Sequence, residues 1–437
     1  MKEFLEKIIE RLSKQGAESD LIFSSVKSFK MSAQKGEISE YKVSSSQILG
    51  VRAIKNGRVG ISFSESLDED SIDFMIKQSL QNAENSNENP HEKILKQSGF
   101  VDDSAVYDEE EIKLSTKIQK TLELESIVKN SDALVTGVPH NSYSENELLT
   151  FYFNSQGRIT RYQDKTFSIS TSALMDKNGK KANFYDFHKA HRFRDLNWDK
   201  VTSNSLFHAR NLLSERPLQT GRYDVFFSED CLQALLNCFS NFLSGKSAMD
   251  QMNPWSSHLD QKVASKDLCI QDVPQYDGSF RKSIFDSEGM EQKPLTLIDE
   301  GTLKSFYHNS VTANYFKTSS TGHAFRGPSG SIGISGTNLV ISGKNVKPIS
   351  PKYIEVIQMD GLYSSANRVN GNFSVAIKGY LWESRMRTIT VGNCTLSGNF
   401  NELLKNVEVT GLSIASSTDG TFFSVPLIFK ELSIAGV

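Results

Sequence analysis

The tetrapeptide Lys55-Asn56-Gly57-Arg58 does more than any other stretch to limit how this chain can fold. A two-residue hairpin turn whose twist matches its strands needs positive φ at both central residues, and Asn-Gly tolerates it best. Val59, Ile61 and Phe63 alternate cleanly after the turn, and a second turn at Lys35-Gly36-Glu37 divides the run that begins at Leu21. The segment therefore reads as an antiparallel meander. A helix precedes it, with Leu5, Ile8, Ile9 and Leu12 on one face, and another follows from about Asp70, with Ile72, Met75, Ile76 and Leu80 at helical steps. Two helices on one face of a meander make a small α+β domain.

The same order recurs. Helical spacing at Leu114, Ile118 and Leu122 is followed by strand patterns at Ala133–Val138, Glu147–Asn154, Ile159–Tyr162 and Phe167–Met175, then by a helix near Val201–Leu213. From Tyr223 the chain turns mostly to strands: Leu295–Ile298, Leu339–Ile341, Tyr353–Met359, Phe373–Trp382, Thr388–Val391 and Leu427–Ile434. The expected organisation is an N-terminal α+β domain (1–84), a polar linker (85–111) holding the acidic run Asp108-Glu109-Glu110-Glu111, a middle α+β domain (112–220) and a C-terminal β-rich, barrel-like domain (221–437). The fold class is α+β, with antiparallel sheets in the first two domains flanked by helices. At 437 residues the chain is too long for one ordinary core.

Charge and cysteine content exclude several functions. The net charge of −3 has no basic stripe, so direct nucleic-acid binding is not expected. No apolar run is long enough to span a bilayer, and the N-terminal helix lacks a signal-peptide cleavage site. Cys231, Cys238, Cys269 and Cys394 form no Cys-x-x-Cys pair, which points to free thiols and a cytoplasmic setting.

The stretch Ser228–Leu243 is a strand-to-helix junction of the kind that often carries an active site. Ser228 caps it, Glu229 and Asp230 suit its first turn, and Leu232, Leu235, Leu236, Phe239, Phe242 and Leu243 recur at helical steps. In place of nucleophiles or metal ligands it carries Asn237, Cys238 and Phe242. Elsewhere the candidates are thin. His188 and His191 fall on opposite faces of a strand and lack further ligands. Cys231 and Cys238 stand about 10 Å apart on one helix, too far for a common metal. The Gly327–Gly336 run lacks the Gly-Lys-Ser/Thr of a phosphate loop and reads as a mobile surface loop, still able to present backbone groups to an extended peptide. Asp286 and Glu288 are a close carboxylate pair, read as a solvated turn ahead of an acid/base pair.

Several stretches together resemble the TldD/PmbA family: Ile54 to Gly60; Phe285-Asp286-Ser287-Glu288-Gly289; Leu297 to Leu303; Ser320-Thr321-Gly322-His323-Ala324; Gly371-Asn372-Phe373-Ser374; Gly379 to Glu383; Leu396 to Phe400; and the closing Leu432 to Gly436. In that family the TldD-type subunit carries His-Glu-x-x-x-His on a helix and a later cysteine, which hold a metal for peptide hydrolysis. The PmbA or TldE branch lacks them. Aligning Leu235-Leu236 with the residues before that motif puts Asn237 at the first His, Cys238 at the Glu and Phe242 at the second His; Ser413–Gly420 has no cysteine. The resemblance implies a non-catalytic PmbA/TldE-type subunit with no metal of its own, completing a TldD/TldE metalloprotease complex that degrades or processes unfolded peptides. The zinc-type metal would belong to the partner. Such a chain would pair with a TldD-type subunit as a heterodimer, or otherwise with itself. Asp286, Glu288, Gly322 and His323 are the expected peptide-binding residues, with His323 more simply a surface-loop residue. The family's label as a modulator of DNA gyrase then reflects processing of peptides that act on gyrase. Two rivals follow: a stand-alone peptidase using His258, His308 or His323, and a homodimeric peptide-binding module without proteolysis.

Overall fold

The structure is a computed structural model that describes residues 1–104 and 111–437; most of the acidic run, Asp108-Glu109-Glu110, falls outside the described residues. Helix α1 (Lys2–Lys14) buries Leu5, Ile8 and Leu12. Strands β1 (Glu18–Gln34), β2 (Glu37–Lys55) and β3 (Arg58–Ser64) form the expected meander. Asn56 and Gly57 have φ of 52° and 71°, both positive as the hairpin turn requires. Helix α2 (Glu69–Asn85) starts at Asp68, whose carboxylate accepts from the Ser71 amide.

The stretch expected to be only a linker contributes a strand, β4 (Gly99–Asp103). After it come α3 (Leu114–Asn130), β5 (Val135–Gly137), β6 (Asn141–Asn154), β7 (Arg158–Lys177), β8 (Lys180–Ala190) and α4 (Trp198–Leu212). Strand β7 replaces two expected strands. Its polar middle, Gln163 to Thr166, contains no breaker and stays in register with Leu149 to Asn146 of β6. Antiparallel pairing of β1 with β6 joins the first two sheets into one, ordered β3-β2-β1-β6-β7-β4, with β5 and β8 also against β7. Odd-numbered positions such as Leu21, Phe23, Phe153, Phe167 and Ile169 pack under the helices. Because strand side chains alternate, Asp20, Ile22 and Tyr152 point the other way, toward the C-terminal domain.

That domain begins with β9 (Gly221–Phe227) and α5 (Glu229–Cys238). A half-barrel sheet follows from β10 (Leu268–Asp272), β11 (Leu295–Asp299) and β12 (Thr302–Leu303). Strands β13 (Ala324–Phe325) and β14 (Gly333–Ile334) make a separate hairpin, and β15 (Leu339–Gly343) returns to the half-barrel. Then come β16 (Lys352–Asp360), β17 (Asn372–Glu383), β18 (Met386–Asn399), β19 (Val407–Val409), β20 (Ala415–Ser416), β21 (Phe422–Ser424) and β22 (Leu427–Ala435). Pairing of β18 with β22 closes β18-β17-β16-β9-β22 into a five-stranded barrel. Parallel pairs β9–β16 and β15–β21 interrupt the otherwise antiparallel pattern. Val225, Phe227, Leu235, Phe239, Ile354, Val356 and Phe429 belong to the core of this domain.

A buried ion network joins the N-terminal sheet to the C-terminal domain. Register places Asp20 directly opposite Arg52. Arg52 donates to Asp20 through Nη2 (2.6 Å) and Nε (3.0 Å), and through the same Nη2 to Glu288 Oε1 at 3.3 Å. Its Nη1 reaches Glu92 at 3.4 Å, while Arg326 binds the other oxygen of Asp20. Glu288 also accepts from the amide (2.9 Å) and hydroxyl of Ser310. The side chains of Arg52, Asp20, Glu288 and Arg326 are each 1% exposed, so their charges depend on one another. Breaking a buried pair by removing one partner leaves an uncompensated charge and costs about 3–5 kcal/mol. Arg52→Ala is therefore expected to destabilise the protein by about that much in urea unfolding, whereas Arg11→Ala, which removes surface pairs with Glu69 and Asp73, should cost under about 1 kcal/mol. Equal small effects would contradict this account of the domain contact.

Candidate functional site

The junction read from the sequence borders a cavity of about 670 Å³. Ser228 caps α5 by accepting from the Cys231 amide, but the helix ends at Cys238, short of the expected Leu243. Phe239 leaves helical geometry (φ −103°, ψ 22°) and Ser240–Leu243 continues as a tighter 3₁₀ turn. The apolar spacing persists through the change because Phe239 and Phe242 both enter one aromatic cluster. Gln233, Asn237, Ser240 and Asn241 face the cavity from this side; Asp272, Tyr307, Thr337, Asp419 and Thr421 are among the residues opposite.

Of the three positions expected from the sequence to match the family's metal motif, Asn237, Cys238 and Phe242, only Asn237 borders the cavity. Cys238 is buried, and burial pushes its thiol upward. Cys231 on the same helix is raised to about 12 for the same reason, so both thiols stay protonated and inert near neutral pH. Phe242 is fully buried, with its ring centroid 5.1 Å from that of Phe400 and 5.2 Å from that of Trp255. The donor set does not fit a catalytic metal. Asp272 accepts from Tyr307 Oη (3.0 Å), from the Thr337 amide (2.7 Å) and from the Thr337 hydroxyl. Asp419 accepts from Ser417 Oγ (2.7 Å), the Thr421 amide (3.1 Å) and Gln233 Nε2 (3.2 Å). Among the described residues, no three His, Cys, Asp or Glu side chains gather where an ion could be held. The family's metallopeptidase step cannot be derived from these side chains.

The four residues expected to touch peptide sit in and behind the wall of the cavities. Asp286 and Glu288 are buried, 6% and 1% exposed, which overturns their reading as a solvated turn. Asp286 accepts from the amides of Glu288, Met290 and Ala324, each at 2.9 Å. Burial first, and then the charge of Glu288, push Asp286 up to about 7; burial also raises Glu288. His323 is fully buried rather than on a surface loop. Its Nε2 lies 3.3 Å from Asp272 Oδ1, its Nδ1 meets Thr321 Oγ1 at 3.0 Å, and its ring packs on Tyr307. Gly322 has φ +75°, and a Cβ there would come within 2.8 Å of the Glu291 carbonyl oxygen. Only Asp286 of the four borders a cavity, the smaller one of about 280 Å³ between the N-terminal sheet and the C-terminal domain. The Gly/Ser run expected as a loop is the β13–β14 hairpin and its tip, held close to β2: a Cβ on Gly50 would lie 1.7 Å from the Pro328 carbonyl oxygen.

Two of the remaining histidine candidates act in structure. His188 Nδ1 accepts from the Asn197 amide at 3.3 Å. His308 is buried and bonds Thr312 Oγ1 at 3.1 Å. Neither His258, His308 nor His323 borders either cavity. Residues that sequence reasoning missed are Arg281, which borders both cavities, and Asp272, Tyr307 and Arg326 in their walls. Arg52 within Val51-Arg52-Ala53-Ile54 carried a usable signal, since a cation inside an apolar run needs a buried partner.

Two expected outcomes follow from this geometry. Phe242→Ala should destabilise the protein by about 3–5 kcal/mol in urea unfolding, the usual cost of emptying an aromatic core site; a loss below about 1 kcal/mol would contradict its core role. His191 clasps the segment that carries Arg281: Nε2 donates to the Phe280 carbonyl at 2.7 Å, Nδ1 lies 3.0 Å from Asp164 Oδ1, and the ring stacks on Phe280 at 4.4 Å. Burial alone would lower its value, but Asp164 and the Phe280 carbonyl favour the imidazolium and raise it. A raised native value means the stabilisation is whole below the ordinary histidine value of about 6.5 and is lost as pH climbs through the native value. The stability gap between the natural chain and His191→Gln, measured by urea unfolding from pH 5.5 to 8.5, should therefore shrink as pH rises; a gap that widens or stays flat would contradict the clasp.

Comparison with known proteins agrees with this architecture. Three family models match: PmbA/TldA metallopeptidase domain 1 over residues 19–83, its central domain over 107–213 and its C-terminal domain over 220–436. An uncharacterized protein of Methanocaldococcus jannaschii is 23% identical over 92% of this chain and 93% of its own. Metalloprotease PmbA of Escherichia coli O157:H7 is 21% identical over 100% of this chain and 96% of its own. Two crystal structures share the fold. A candidate modulator of a DNA gyrase from Thermotoga maritima has TM-score 0.88 and 20% identity over 99% of this chain and 100% of that one. TldE from Thermococcus kodakarensis has TM-score 0.82 and 20% identity, with the same coverage. With all three domain models matched in order along its length, the chain belongs to the PmbA/TldD family of metallopeptidase-like proteins.

Proposed function

We propose that this chain is the non-catalytic half of a TldD/TldE-type complex, in which a metal-bearing TldD-type subunit cleaves peptides and this subunit completes the chamber that admits them. The observation that carries the reading is the fate of the helix positions matching the family's metal motif. One is an asparagine at the cavity edge, one a buried thiol and one a phenylalanine locked in an aromatic cluster. A phenylalanine cannot ligate a cation, and reaching a metal from either buried position would require dismantling the core. What this chain's residues can do is hold and exclude. The two neighbouring cavities share Arg281 and the Ser335–Thr337 segment, an arrangement suited to an unfolded peptide and too narrow for a folded domain. Arg281 is exposed at that shared border, placed to meet carboxylate or carbonyl oxygens of a peptide.

Purified alone and supplied with zinc, the chain is expected to show no peptidase activity on unfolded peptides and to retain substoichiometric metal after dialysis. Mixing it with a TldD-type subunit should give a heterodimer by size-exclusion chromatography and activity above that of the TldD-type subunit alone. Robust hydrolysis by the chain alone, or one tightly held metal per chain, would overturn the reading in favour of a stand-alone peptidase.

A further inference from the structure

The charged side chains that line the two cavities are unequally engaged. In the larger one Asp272 accepts from Tyr307 and Thr337, with His323 3.3 Å behind it. Asp419 there takes donors from Ser417, Thr421 and Gln233. In the smaller one Arg326 is held by Asp20, and Asp286 accepts from three backbone amides. Arg281 lines both cavities and is exposed, and among the described residues its guanidinium forms no ion pair. Burial keeps the Tyr162 phenol protonated against the opposing pull of the Arg281 charge, which therefore stands near a residue lining the smaller cavity.

The backbone beneath that charge is fixed. Besides the His191 clasp on Phe280, the Phe280 amide donates to the Gly420 carbonyl at 2.9 Å. The Arg281 carbonyl accepts from Asn338 Nδ2 at 2.7 Å and from Ser279 Oγ at 3.0 Å. An anchored backbone lowers the ordering cost of any bond the guanidinium makes. A cation at a cavity whose acids are already occupied by donors draws an anion.

We propose that Arg281 binds a carboxylate of the peptide held in these cavities, either at the peptide's C-terminus or on an aspartate or glutamate side chain. The planar guanidinium meets a carboxylate through two parallel N–H···O bonds, whereas a neutral amide offers one acceptor and no charge. Arg281 stands where the cavities join, beside Ser335–Thr337, so the carboxylate marks the point at which a peptide crosses from one to the other. This inference rests on the peptide-handling reading above and adds the class of peptide that the chamber selects.

The test is fluorescence polarisation of labelled pentapeptides with the full chain. Ala-Ser-Gly-Ser-Ala as free acid and as C-terminal amide probes the terminal carboxylate; Ala-Ser-Glu-Ser-Ala and Ala-Ser-Gln-Ser-Ala, both as amides, probe the side chain. In at least one pair the carboxylate peptide is expected to bind about tenfold tighter than its neutral counterpart, and added salt should narrow the gap. Arg281→Gln should remove the preference and Arg281→Lys should keep part of it; circular dichroism melting checks that both variants fold. Equal binding within both pairs, a preference that survives Arg281→Gln, or no binding of any peptide with or without a TldD-type subunit would overturn the proposal. Failure of the TldD-type complex to cleave peptides would defeat the earlier reading while this preference could still be scored. An active complex indifferent to peptide charge would defeat this one alone.

Discussion

The contact between Arg52 and its carboxylates holds the rest of this structure in place. Strand register puts Asp20 beside Arg52 on the sheet face away from the helices, and Glu288 and Arg326 arrive from the other domain to complete the cluster. Charges removed this fully from water are stable only as a set. The set therefore dictates where the C-terminal domain sits on the N-terminal sheet. The smaller cavity exists because the two surfaces meet around this cluster and leave a gap beside it, and the β13–β14 hairpin can lie over β2 because Gly50 has no side chain.

The same arrangement explains why acidic residues and a histidine that look accessible in the sequence are buried. Asp286, Glu288 and His323 serve the wall: Asp286 ties three backbone amides, Glu288 faces Arg52 and Ser310, and His323 backs Asp272. Asp272 and Tyr307 in turn present a hydrogen-bonded face to the larger cavity. Side chains committed in this way shape the cavity wall, and among the described residues no three His, Cys, Asp or Glu side chains gather as ligands, which is the physical basis of the proposal that the chemistry lies with a partner.

Much of the fold was legible because it rests on local rules. The Asn56-Gly57 turn, the Ser228 cap and the helical spacing of α1 and α2 depend on neighbours within a few residues. In α3, by contrast, the buried face carries Thr121, Leu124, Glu125 and Val128 and not the expected Leu114, Ile118 and Leu122. What was not legible depended on distant partners. Strand β7 runs on through a polar middle because β6 pairs with it, and β4 forms only because β7 offers an edge in parallel. The helix at Ser228 stops early because Phe239 and Phe242 are drawn into a cluster with Trp255 and Phe400, residues far off in the chain. The candidate site divides along the same line. Asn237 could be placed from local pattern and family resemblance. The burial of Asp286 and the pairing of His323 with Asp272 follow from the docking of one domain on another, and no local spacing encodes that.

The proposed role has this family fold working without a cation of its own. Crystals of the chain together with a TldD-type subunit, measured at the zinc absorption edge, test that claim most directly. One anomalous peak is expected, inside the TldD-type subunit and beyond coordination distance of Asn237, Cys238 and Asp272. A peak bonded to any of those three side chains would contradict it.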